Sequence, residues 1–124
     1  MPWRVERAAE HGIIETTYTG SVAASDVRAA TAEALSLARP THAELFLTFF
    51  EDADLRLSTT DIFAVPEEFK SRGANRGNRL GVVVTGNGSP SVEDARFYES
   101  VCRNRGWQVR MFSSRADAVS WLLS

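Results

Sequence analysis

One cysteine, one lysine and two histidines are all that this 124-residue chain offers of the side chains that most often hold metals or act as nucleophiles. Cys102 has no partner for an internal disulfide and no CxxC neighbour for metal or redox work, as expected in a reducing compartment. His11 and His42 lie far apart and outside any motif, so a Cys/His nucleophile pair is not expected. Thirteen of the fourteen basic residues are arginine, and Lys70 alone is lysine. No apolar run approaches the roughly 20 residues of a membrane span. The opening MPWRVERAAEH lacks the apolar segment of a signal peptide, so the expectation is a cytoplasmic protein. A net charge of −2 gives no general pull toward nucleic acid. No catalytic constellation, metal site or cofactor motif is found.

What remains is an ordinary globular composition, 44% hydrophobic and 24% charged. It implies one folded domain over residues 1–124, with no linker or repeat. Trp3 and Val5 alternate with polar neighbours over residues 3–8, as in a half-exposed strand. Glu10-His11-Gly12 makes a turn, and residues 12–18 (GIIETTY), rich in β-branched side chains, return as the second strand of a hairpin. From Ala24 to Ala38, Val27, Ala30, Ala34, Leu37 and Ala38 recur at helical spacing, and Pro40 blocks continuation. Residues 44–50 (ELFLTFF) form a nearly continuous apolar run, expected of a strand buried on both faces. An acidic loop, Glu51-Asp52-Ala53-Asp54, follows it.

Ser58-Thr59-Thr60-Asp61 opens a helix that turns Ile62, Val65 and Phe69 inward and closes at Gly73. Pro66 removes a hydrogen bond within it, so a kink or two short helices are expected. Residues 79–85 (RLGVVVT) make a second buried strand. The loop TGNGSPS then enters a helix that begins between Ser89 and Asp94, keeps Ala95, Tyr98, Val101 and Cys102 inward, and stops at Gly106. Trp107 to Phe112 is the last strand, and Ser114 with Asp117 caps a final helix. Trp3, Trp107 and Trp121 read as packing around one end of the sheet. The order is ββαβαβαβα. It implies an α/β fold whose mixed, mainly parallel sheet of four or five strands carries helices packed on it.

These elements carry a family resemblance over essentially the whole chain. YTGSVAASDV opens the first helix, LFLTFF and RLGVVVT are the buried strands, and RNRGWQVRMF leads to a closing ADAVSWLL. In element order, in the Gly20–Val22 helix entry and in the terminal Phe112, Ala118, Trp121, Leu122 pattern, the chain resembles the SpoIIAA-like proteins of the STAS superfamily. That fold is shared in outline with lipid-binding Sec14-type domains. The resemblance implies a four- or five-stranded sheet with helices mainly on one side. It also implies a regulatory module that binds a protein partner and is switched by serine phosphorylation at the helix after the third strand. Ser58, Thr59 and Thr60 lie near that place, but the Asp-Ser-Gly frame around the family's serine is absent.

Ser58, Thr59 and Thr60 are the candidate phosphoacceptors, since a phosphate would meet free N–H groups at a helix start; ordinary N-cap duty accounts for them first. Glu51, Asp52 and Asp54 have the charge for magnesium, yet the acidic pair and lysine that accompany such a site in receiver domains are missing. Arg72, Arg76 and Arg79, with glycines between, are candidates to grip an anion. The loop Thr85 to Ser91 lacks a Walker lysine, and Pro90 removes a donor. The leading expectation is a non-enzymatic regulatory domain that contacts a protein partner through Leu55, Leu57 and Phe63. The alternative is a carrier or sensor of a small apolar or lipid-like ligand, with the Ile62–Phe69 helix as a flap. Pairing of an edge strand into a homodimer is a further expectation.

Overall fold

A computed structural model of the chain describes residues 2–8, 11–84 and 92–124. It has the expected element order: β1 (Trp3–Arg7), β2 (Ile14–Ala23), α1 (Ala24–Ala38), β3 (Leu45–Arg56), α2 (Thr59–Ser71), β4 (Arg79–Val84), α3 (Val92–Asn104), β5 (Gln108–Phe112) and α4 (Arg115–Leu122). A short 3₁₀ turn, Arg39–Thr41, carries Pro40 and ends α1. The five strands lie in the order β1-β2-β3-β4-β5. β1 runs antiparallel to β2, and every other pair is parallel. The crossovers are the three helices α1, α2 and α3, as parallel pairing requires. The sheet edges are β1 and β5.

Alternation sorts the side chains of the strands onto two faces. On one face Ile14, Phe46 and Leu80 meet Ala34 and Ala38 of α1, while Val82, Val84 and Val109 meet Ala95 and Cys102 of α3. On the other, Leu47 and Val83 meet Ala118 and Leu122 of α4. A β-carbon at Gly81 would stand 3.4 Å from that of Ala118, so glycine there lets α4 approach the sheet. The Glu15 carboxylate in β2 forms an ion pair with Arg115 at the start of α4, and Asp117 N–H donates to Ser114 Oγ at 3.2 Å. Three helices thus cover one face and one short helix the other.

Three expectations need correction. The acidic stretch is part of a strand, because Ala53 and Leu55 alternate inward and continue β3 to Arg56. The register shifts between Tyr18 and Gly20, where Gly20 (φ 70°) and Asp52 (φ 50°) take left-handed backbone, and pairing resumes at Gly20 with Ala53. α2 runs as one helix through Pro66; the proline ring is fully buried, so apolar contact offsets the missing hydrogen bond. The three tryptophans do not gather at one end. Because β1 is antiparallel, Trp3 pairs with Tyr18, midway along β2 and level with the end of β4, whereas Trp107 and Trp121 lie near the start of β4 on opposite faces. The Glu10 turn and the anion-loop candidates Thr85 to Ser91 fall outside the described residues.

Candidate functional site

The position of α2 makes the site. α1 packs on β1 and β2, α3 packs on β4 and β5, and α2 rests chiefly on those two helices rather than on a strand. It therefore bridges the middle of the sheet like a roof. Beneath it lies a cavity of about 130 Å³. Its floor is the helix-bearing face of the central strands, with Thr16, Phe46, Thr48 and Val82. Ile62, Val65 and Phe69 of α2 form the ceiling, and α1 and α3 contribute side walls through Thr31, Leu35, Ala95 and Tyr98. Protein interiors are close-packed, with few voids larger than a water molecule. A space of this size beneath three helices is therefore unusual.

A groove of about 70 Å³ runs between α1 and α2. It shares Val27, Thr31, Leu57 and Val65 with the cavity, so it forms an outer approach to it. Arg28, Asp61 and Glu68 stand along this groove. On its other side the roof is clasped to α3. The Arg105 guanidinium donates to the Phe63 carbonyl at 3.1 Å and to Glu67 Oε1 at 2.8 Å. Phe63 and Phe97 meet edge to face, ring centroids 5.6 Å apart. At the C-terminal end of α2, Phe69 sits edge-on to Trp107 at 5.4 Å.

Burial keeps three titratable groups near the cavity neutral. Burial pushes the Tyr18 hydroxyl well above its usual range, aided by the charge of Asp26. Burial also raises Tyr98, with Cys102 adding to the effect. The Cys102 thiol is pushed up to about 12 by burial, only partly offset by Tyr98 and Arg105. It is therefore a protonated, inert core group at neutral pH. Among the described residues no cluster of histidine, cysteine and carboxylate side chains could hold a metal ion.

The candidate residues divide among separate places. Ser58 is the N-cap of α2: Asp61 N–H donates to Ser58 Oγ at 3.1 Å and Ser58 N–H donates to Asp61 Oδ2 at 2.9 Å. Such a reciprocal cap typically contributes about 1 kcal/mol. Thr59 and Thr60 are exposed in the first turn. Of the three candidate contact residues only Phe63 is exposed, at 43%. Leu55 is half-buried against the Tyr18 and Val22 cluster, and both leucines line the cavity.

The arginines do not converge. Arg72 pairs with Glu68 at 3.0 Å, Arg76 lies 3.6 Å over the Trp107 ring, and Arg79 donates to the Trp121 and Ser124 carbonyls on the α4 side. Sequence reasoning missed Thr16, Thr31 and Thr48. The available signal was a pair of polar side chains at inward positions of two apolar strands.

No family model matches the sequence, and no curated protein matches it. Solved structures do. An uncharacterised DUF3478-family protein with a SpoIIAA-like fold from Shewanella loihica PV-4 superimposes with a TM-score of 0.58 at 17% identity, over 97% of this chain and 91% of that one. The anti-sigma factor antagonist SpoIIAA in its unphosphorylated form gives a TM-score of 0.55 at 11% identity, over 98% of both chains. With its mixed five-stranded sheet and four helices, this chain has a SpoIIAA-like fold.

Proposed function

We propose that this chain is a STAS-type binding module that takes up a small apolar molecule in the space beneath α2. The cavity itself carries the proposal. Its lining is predominantly apolar, with Val27, Phe46, Ile62, Val65, Phe69 and Val82 among it. An apolar molecule seated there takes that surface out of water, which contributes roughly 25 cal/mol per Å². Among the described residues the walls offer no activated nucleophile, and the tyrosines there stay protonated, which favours binding over catalysis.

The test is uptake of benzene or xenon by the intact chain, followed through methyl resonances of Val65 and Val82. Val65→Phe fills the ceiling from within, so it should weaken uptake more than roughly tenfold while leaving the melting temperature equal or higher. A wild-type protein that takes up neither probe would overturn the proposal.

A second reading rests on a separate observation. Phe63 and Phe97 are exposed at 43% and 38% and meet edge to face on the outer side of α2 and α3. Exposed aromatic pairs are characteristic anchors of protein interfaces, and the SpoIIAA-like structure superimposed above is named as an anti-sigma factor antagonist. This reading makes the chain a regulatory domain with a protein partner. Phe63→Ser should then abolish capture of that partner in a pull-down while leaving the far-ultraviolet spectrum unchanged. Equal capture by both proteins would exclude this surface.

A further inference from the structure

We infer that the ligand of the cavity is a neutral molecule about the size of one ring, with a single hydrogen-bonding oxygen that the hydroxyls of Thr16, Thr31 and Thr48 receive. This rests on the apolar-ligand reading above and adds the chemical class.

Thr16 and Thr48 are register partners on adjacent parallel strands, so their side chains stand together on the cavity floor. Thr31 faces the same space from α1. Among the described residues, no hydrogen bond to another side chain or to the backbone engages any of the three hydroxyls. None of them is a fully enclosed side-chain oxygen lacking a hydrogen bond. A hydroxyl has one proton to donate and lone pairs to accept. Three around one apolar space make a small polar spot that an alcohol, phenol or ketone oxygen can satisfy.

The same walls exclude charge. Burying an ionised carboxylate or phosphate needs a paired cation. Two charged residues line the cavity, Asp94 and Arg79; the guanidinium of Arg79 is engaged by the Trp121 and Ser124 carbonyls, and that of Arg76 lies over the Trp107 ring. The groove is lined by one cation, Arg28, and two carboxylates, Asp61 and Glu68, of which Glu68 is paired with Arg72. An anionic head group therefore meets the Asp94 carboxylate inside, where the Arg79 guanidinium is already engaged, and only Arg28 among the carboxylates of the approach. The volume sets the size. An engineered apolar cavity of about 150 Å³ holds benzene, close to the 130 Å³ here.

The experiment uses toluene, benzyl alcohol and benzoate on the intact chain near neutral pH, with affinities read from the methyl shifts of Thr31, Thr48 and Val82. Benzyl alcohol should bind roughly threefold to tenfold tighter than toluene, the usual net effect of one hydrogen bond. Benzoate should bind more than roughly a hundredfold weaker than the alcohol. Thr48→Val keeps the shape and removes the hydroxyl; it should erase the preference for the alcohol and leave toluene binding within about twofold. Thr31→Val serves the same purpose if the strand variant does not fold. Toluene binding as tightly as the alcohol, or benzoate rivalling either, overturns the inference while the apolar-ligand proposal stands. If none of the three binds, both fall together.

Discussion

Trp107→Ala is expected to destabilise the protein by about 3–5 kcal/mol, the usual range for removing a buried indole. Trp107 is only 5% exposed and is packed among Val82, Val84, Ala95, Cys102 and Val109. It sits where the chain leaves α3 through Gly106 (φ 86°), and its N–H donates to the Cys102 carbonyl at 3.1 Å. Two further contacts use the ring itself: the edge-on Phe69 of α2 and the Arg76 guanidinium stacked over its face. Each is of a kind worth up to about 1–2 kcal/mol beyond simple burial. Because Phe69 belongs to the roof, the variant should lose hydrogen-exchange protection in α2 before it unfolds globally. Chemical denaturation supplies the magnitude. A loss below about 1 kcal/mol would mean that the indole does not anchor this face.

Leu47→Ala is expected to cost about 2–5 kcal/mol through the opposite face. Leu47 is 1% exposed and lies among Ile13, Val83, Ala118 and Leu122. The helix it supports has eight residues, too short to persist without tertiary contacts. The void left by the leucine cannot be closed by a shift of α4, since Ala118 already stands against the backbone of Gly81. Partial undocking of α4 should follow, visible as raised amide exchange over residues 118–122. The cavity beneath α2 lies across the sheet, so probe uptake there should be unchanged in the same variant. An effect confined to α2 would show that the two faces are not independent layers.

The element order was legible because periodicity and punctuation agree locally. Ser58 with Asp61 and Ser114 with Asp117 cap helices as their spacing implies, and Gly106 ends a helix as expected. Errors arose where distant pairing overrides local composition. Glu51 to Asp54 looks like a loop from its charge, yet residues 53–56 alternate and find partners in β2, thirty residues earlier. Leu55 and Leu57 looked exposed for the same reason, their neighbours being polar while their contacts come from elsewhere. Pro66 looked like a break because the lost hydrogen bond is local and the compensating burial is not.

The cavity could not be read at all. An empty space is set by how far α1 and α3 hold α2 from the sheet, which depends on many side-chain volumes at once. Its polar spot was partly visible. Thr16 and Thr48 interrupt apolar faces, but threonine also suits strands for its branching alone, and only the register places them side by side.

The support of α2 by helices rather than by strands has a kinetic consequence. Lifting that roof breaks the clasp of Arg105 and the aromatic contacts at Phe63 and Phe69, and every hydrogen bond of the sheet stays intact. A full opening of the chamber then needs only a local movement rather than global unfolding, and such openings are the less costly motions of a folded chain. Under the proposed apolar-ligand reading, the dwell time of a bound molecule would be governed by one helix and tuned from the outer surface without altering the chamber.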